Sequence, residues 1–124
     1  MTEITFKDLA LSPAILKAIE EIGYVKPSPI QAEAIPVVLS GKDIIGQAQT
    51  GTGKTAAFML PILEKIDPKN RNVQALVLCP TRELAVQVHE ESKKFARNMR
   101  DVHILSIYGG QSYDPQIRAL KKGV

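Results

Sequence analysis

The sequence predicts an α/β fold, a parallel sheet with flanking helices. Three observations carry this reading. Apolar residues at helical spacing alternate along the chain with short β runs. The run Gln74-Ala75-Leu76-Val77-Leu78-Cys79 is apolar over a strand's length, as suits a strand buried on both faces. A loop rich in glycine and threonine stands where a β run gives way to a helical pattern. β runs separated by helical stretches long enough for crossovers belong to the α/β class.

Composition agrees with one globular unit. The chain has 124 residues, a net charge of +3, 44% hydrophobic residues and 23% charged residues. A disordered chain would have a lower apolar fraction and a larger charge imbalance. No apolar run approaches the length that crosses a bilayer, and the start, Met1-Thr2-Glu3-Ile4-Thr5-Phe6-Lys7, lacks the pattern of a secretory signal. The single cysteine, Cys79, excludes a disulfide framework and a cysteine-built zinc cluster. The expected compartment is the cytoplasm, with no membrane partner. A sequence pI of about 9.1 permits a polyanionic partner without arguing for one.

The elements follow in order. Ser12 and Pro13 supply an N-cap and a first helical residue. Ile15, Leu16, Ile19 and Ile22 then form one apolar face that Gly23 terminates. Ser28-Pro29-Ile30-Gln31 repeats this start, with Gln31 at the third position of a capping box. The helix continues over 32–39, with a bend expected at Pro36. A turn at 41–43 leads into a short strand over 43–47. A helix over 54–66 contains Pro61, and 67–72 is polar and turn-rich. The strand over 74–79 precedes a long helix over 81–99, with Leu84, Ala85, Val88, Phe95 and Ala96 near one side. A third strand, 102–108, ends at Gly109-Gly110, and Asp114-Pro115 opens a last helix that stops near Gly123. Three strands make a thin sheet, so the unit is expected to be truncated.

The segment Ala48-Gln49-Thr50-Gly51-Thr52-Gly53-Lys54-Thr55 matches the phosphate-loop pattern, with Ala48 in place of the first glycine. Its position after a strand and before a helix is the one the chemistry needs. Successive backbone N–H groups and the helix N-terminus can surround a phosphate. Gly51 and Gly53 let the backbone approach, Lys54 can reach the outer phosphates, and the Thr55 hydroxyl can ligate Mg²⁺. A nucleoside triphosphate with Mg²⁺ is the expected ligand. No strand-ending acidic pair follows that would complete a hydrolase. Upstream, the Gln31 amide can donate and accept, as the adenine edge requires, or it can serve only the capping box. Tyr24 or Phe6 can give a base an aromatic surface, and Phe6 can equally be plain core.

At this point the chain resembles the amino-terminal part of the first RecA-like domain of a DEAD-box RNA helicase. Gly23-Tyr24-Val25-Lys26-Pro27-Ser28-Pro29-Ile30-Gln31 is similar to the family's adenine-recognising Q motif, and Phe6 stands at its isolated upstream aromatic position. Residues 48–55 correspond to motif I, Pro80-Thr81-Arg82-Glu83-Leu84-Ala85 to motif Ia, and Gly109-Gly110 to the double-glycine motif. The segments Tyr108-Gly109-Gly110-Gln111-Ser112-Tyr113 and Gln116-Ile117-Arg118-Ala119-Leu120 look most like the bacterial cold-shock type.

The resemblance covers all 124 residues. It implies a Q-motif helical segment over 1–40 and the start of a phosphate-loop α/β core over 41–124. It implies that Phe6, Tyr24, Pro29 and Gln31 join the loop in holding ATP, and that Lys54 and Thr55 serve catalysis. It implies RNA as partner, held through its backbone by Pro80, Thr81, Arg82, Gly109 and Gly110. On local evidence alone, Thr81 can merely cap a helix, Arg82 can pair with Glu83 or another neighbour, and Gly109-Gly110 can be a tight turn.

The resemblance also implies what lies outside the chain: motif Ib, the Asp-Glu-Ala-Asp segment, and a second RecA-like domain with its arginine finger. The expected parent is an ATP-dependent RNA helicase that separates short duplexes. Cold adaptation, ribosome assembly and RNA decay are all compatible settings. The rival readings are a different phosphate-loop enzyme, such as a small kinase, and a non-catalytic ATP- or RNA-binding module. His89 and His103 have no partner at metal-ligand spacing, and the basic end of the long helix suits its C-terminal dipole.

Overall fold

The computed structural model describes residues 3–124. A 3₁₀ turn, Phe6–Leu9, precedes five helices: α1 (Pro13–Ile22), α2 (Pro29–Leu39), α3 (Lys54–Lys65), α4 (Arg82–Phe95) and α5 (Tyr113–Lys122). The starts and stops obey the expected capping chemistry. Ser12 and Ser28 are extended residues ahead of a first-turn proline. Gly23 ends α1 at φ +98°, where its N–H donates to the Ile19 and Glu20 carbonyls. Only a residue without Cβ enters that region cheaply. Thr81 caps α4 through Oγ1, which accepts the Leu84 N–H at 3.1 Å.

One core joins the first four helices and the 3₁₀ turn. Ile15, Ile35 and Leu60 are fully buried, and Phe6, Ile19, Leu63 and Phe95 close around them. Each such aliphatic side chain contributes about 1.5–3 kcal/mol by leaving water. The helices α2 and α3 have the most extensive contact, so the phosphate-loop candidate at the head of α3 is braced by α2. A bond from the Ser12 N–H to Glu64 Oε2, 2.9 Å, ties the start of α1 to the end of α3. Ser92 is buried in α4, where its hydroxyl donates to the Val88 carbonyl at 2.6 Å.

Three expectations are corrected. The helix expected over 81–99 ends at Phe95, with Ala96 at φ −90°, ψ 5°. Beyond it, Asn98 donates to Glu21 at 2.8 Å and Arg97 pairs with the same carboxylate at 3.7 Å. Both contacts draw the chain toward α1 and away from a straight continuation. The other two concern the extended segments. Segments 43–47, 74–79 and 102–108 are extended, yet none pairs with another strand among the described residues.

The second strand was also expected to be buried on both faces. Leu76 and Leu78 are instead 77% and 85% exposed, whereas Val77 and Cys79 pack against the core. Alternation along an extended chain accounts for this: Val77 and Cys79 face the helices, and Leu76 and Leu78 face the uncovered side. A cleft of about 1090 Å³ separates 74–79 from 102–108, floored by residues such as Met59, Leu63 and Val88. Residues of both segments line this cleft.

Unpaired N–H and C=O groups along an extended edge recruit other strands. The purified 124-residue chain should therefore associate, with light scattering and thermal midpoint both depending on concentration. A monomer whose cooperative melt is independent of concentration would contradict this.

Candidate functional site

The loop over 48–53 turns directly into α3. Gly51 and Gly53 sit at φ +82° and +80°, a backbone region that residues with a Cβ occupy at a cost of roughly 1–2 kcal/mol. The turn is closed by the Thr52 hydroxyl, which donates to the Gln49 carbonyl. The first helical bond is Ala57 N–H to Gly53 C=O, 3.2 Å. Consequently, none of the backbone N–H groups of residues 51–56 finds an acceptor among the described residues. Free N–H groups and the positive end of the α3 dipole converge on this point, which favours an anion.

The side chains suit the same ligand. Lys54 is exposed and belongs to no ion pair among the described residues. Thr55 is half-buried, and its hydroxyl makes no hydrogen bond among them. That hydroxyl is free to be one ligand of a Mg²⁺ ion that keeps most of its shell as water and phosphate oxygen. The described residues contain no cluster of acidic or histidine side chains that would hold a metal without a phosphate.

The start of α2 meets this loop through two hydrogen bonds. Gln31 is buried, and both ends of its amide are occupied. Oε1 accepts the Ser28 N–H at 3.0 Å, and Nε2 donates to the Gly53 carbonyl at 3.2 Å. The Ser28 hydroxyl donates to the Thr52 carbonyl at 2.7 Å. Gln31 therefore fills its capping-box position and also grips the phosphate loop. Pro29 begins α2 and is exposed. Ser28, read from sequence only as an N-cap, is a second tie to the loop. A contact between residues 24 positions apart leaves no local signature.

Phe6 and Tyr24 lie in the core. Their rings stack at 6.1 Å, and Tyr24 meets Phe95 edge-on at 6.1 Å. Phe6 is buried and Tyr24 half-buried. Burial, and after it the negative charge of Glu91, pushes the Tyr24 hydroxyl above its ordinary pKa, so it stays a neutral donor.

The third group of residues comes together away from the core. Pro80, Thr81, Arg82, Gly109 and Gly110 are all exposed. The Arg82 guanidinium carbon stands 5.7 Å from the centre of the Tyr108 ring, which joins the start of α4 to the end of segment 102–108. Arg82 forms no ion pair with Glu83 or any other described carboxylate. His89 is half-buried, and its Nε2 lies 3.0 Å from the Ile104 carbonyl, a link between α4 and the same segment. Tyr108 escaped the reading of site residues. Its one sequence signal was an aromatic residue directly before a glycine pair.

The class defined by fold and site is a chain of packed helices and extended segments whose loop–helix junction is shaped for an anion and braced from an upstream helix. Comparison with known proteins narrows it. Residues 28–124 match the DEAD/DEAH box helicase family. The chain is 59% identical over 121 residues to the ATP-dependent RNA helicase DeaD of Klebsiella pneumoniae, covering 98% of this chain and 19% of the relative. It is 58% identical over 118 residues to the DEAD-box ATP-dependent RNA helicase CshA of Bacillus cereus, covering 95% and 22%. The crystal structure of a DEAD box protein from the hyperthermophile Methanococcus jannaschii superposes with a TM-score of 0.90 at 42% identity, covering 96% of this chain and 32% of that one. The chain belongs to the DEAD/DEAH box helicase family. It shares the fold of that family's structures, and it spans about a fifth of the length of the DeaD and CshA relatives it matches.

The grip on Gly53 has a measurable consequence. A Cβ at Gly53 would collide with Gln31 Nε2, and the residue is held at φ +80°. Gly53→Ala should destabilise the protein by at least the roughly 1–2 kcal/mol of the backbone conformation alone. Denaturation of the protein and its variant checks this, and an unchanged midpoint would contradict the contact.

Proposed function

We propose that this chain is the amino-terminal part of the first RecA-like domain of an ATP-dependent RNA helicase. In this reading, 1–40 is the Q-motif segment and 41–124 begins the phosphate-loop core. A second RecA-like domain completes the machine. The observation that carries the proposal is the cradle of free N–H groups over 51–56 with the unpaired Lys54 beside it, in a chain related to proteins named as ATP-dependent RNA helicases. The subtype proposed is the bacterial cold-shock one, working in the cytoplasm in a ribonucleoprotein or ribosome-assembly context.

The residues then divide the work. Backbone N–H groups from Ala48, Gln49, Thr50, Gly51, Thr52 and Gly53 onward wrap the phosphates, Lys54 neutralises their outer charge, and Thr55 supplies a hydroxyl to Mg²⁺. A Mg²⁺ ion held at the Thr55 hydroxyl would supply positive charge against the phosphates. Adenine is read by Gln31, with Tyr24, Phe6 and Pro29 forming the neighbouring surface. The Gln31 amide uses one lone pair on Ser28 and one N–H on Gly53, which leaves a second lone pair and a second N–H for the base. The base and the phosphate loop are thereby coupled. Pro80, Thr81, Arg82, Gly109 and Gly110 hold the RNA backbone, a contact that positions without reading sequence.

The three extended segments are strands of a parallel sheet whose intervening strands come from the remainder of the protein. The cleft between 74–79 and 102–108 is the place of one of them. The same remainder supplies the acidic segment that activates water and the arginine finger.

Two measurements on the full-length protein test the reading. Lys54→Ala should abolish RNA-stimulated phosphate release from ATP while circular dichroism remains unchanged. Retained turnover in a folded variant would sink the proposal. Gln31→Ala should reduce the preference for ATP over GTP, because losing a matched pair of hydrogen bonds costs about 1–3 kcal/mol. Competition between the two nucleotides reads this directly. An unaltered preference would leave Gln31 a structural brace alone.

A further inference from the structure

The surroundings of Arg82 contain more than a surface cation. The side chain is exposed, is the first residue of α4, and has no carboxylate partner among the described residues. An arginine in that position ordinarily samples many rotamers and loses that freedom when it binds. Here two features confine it. The Tyr108 ring lies 5.7 Å from the guanidinium carbon, within cation–π range. Also beside it is Gly110 at φ +83°. A Cβ built there would stand 3.1 Å from one guanidinium nitrogen and 3.5 Å from the carbon, so the guanidinium fills the space a side chain would take. Tyr108 is itself half-buried, and its segment is tied to α4 by the contact of His89 Nε2 with the Ile104 carbonyl.

We infer that Tyr108 is a positioning residue: it holds the Arg82 guanidinium flat over Gly110, so that an RNA phosphate meets a pre-oriented donor. The idea rests on the proposed reading of Arg82 as a phosphate contact. Two nearby groups suit the same anion, since the Arg82 and Glu83 N–H groups at the head of α4 have no acceptor among the described residues. The ring, not the hydroxyl, does the holding. Glycine suits position 110 because its φ of +83° disfavours a Cβ, and a Cβ there would also press on the guanidinium.

The test uses the full-length protein, two RNA oligonucleotides of unrelated sequence, and fluorescence anisotropy at several salt concentrations. Tyr108→Leu should weaken both RNAs about two- to fivefold, the fold-change of a solvent-exposed cation–π contact, and leave ATP affinity unchanged. Tyr108→Phe should restore wild-type binding. In an Arg82→Ala background Tyr108→Leu should have no further effect, because the two residues act as one unit. Arg82→Lys should also bind more weakly, since an ammonium lacks the planar face that stacks. This variant decides the matter if Tyr108→Leu does not fold. Equal affinity of Arg82→Lys and wild type, equal losses for Tyr108→Leu and Tyr108→Phe, or an undiminished loss in the Arg82→Ala background would each overturn the inference. If Arg82→Ala alone changes neither affinity nor salt dependence, the phosphate reading of Arg82 fails and takes the inference with it.

Discussion

The carbonyl oxygen of Gly53 is the point on which the arrangement turns. It accepts the Ala57 N–H, which starts α3, and the Gln31 amide, which reaches across from α2. One atom therefore sets where the helix begins, how the loop enters it, and how close the two helices approach. The left-handed conformation at Gly53 follows from this double duty. The loop must reverse to free its N–H groups, and the amide must come close, so only a residue without a side chain fits. The Ser28 hydroxyl on the Thr52 carbonyl repeats the tie one residue earlier. Both ties satisfy loop carbonyls and leave loop N–H groups open, a division that gives the junction its anion-binding polarity.

Packing beneath the junction serves the same end. Ile35 on α2 and Leu60 on α3 are both fully buried in the shared core, so the two helices cannot slide without opening it. The aromatic contacts of Phe6, Tyr24 and Phe95 anchor the amino-terminal turn to α4. Rigid elements on one side thus support two exposed regions on the other, the loop ahead of α3 and the patch ahead of α4. Each begins at a helix N-terminus that follows an extended segment, the location where open α/β sheets present ligand sites. The extended segments are the under-supported part. Their inward residues, such as Val77 and Ile104, pack against the core, while Ile45, Leu76 and Leu78 are left to water.

Much of this was readable from residue types in order. Pro after Ser marked two helix starts, Gly23 and Gly123 marked two ends, and the glycine-lysine-threonine run marked the junction, because each of these depends on backbone preferences local to a few residues. The family followed from four motifs in sequence. The pairing of the extended segments did not follow. A strand's identity is local, but its hydrogen bonds belong to whichever chain lies beside it, and neighbours in a parallel sheet are distant in sequence. The end of α4 was misjudged for a related reason. Its apolar spacing continues past Phe95, and the pull of Glu21 on Arg97 and Asn98 comes from a helix some 75 residues away.

By itself, the sequence determined the family, the place and composition of the loop, and the helix boundaries that carry their own caps. Backbone conformations and capping preferences are properties of short stretches, so a short stretch reveals them. Only the tertiary structure decided that Gln31 spends its amide on Ser28 and Gly53, that Ser28 holds Thr52, that Phe6 and Tyr24 are turned into the core, and that Tyr108 and Gly110 enclose Arg82. Each of these joins groups between 22 and 28 residues apart, or turns a side chain toward one of two available surroundings, apart from the short Gln31–Ser28 bond. The choice is made by which partner can satisfy a buried polar group or fill a space, and such partners exist only once the helices have packed.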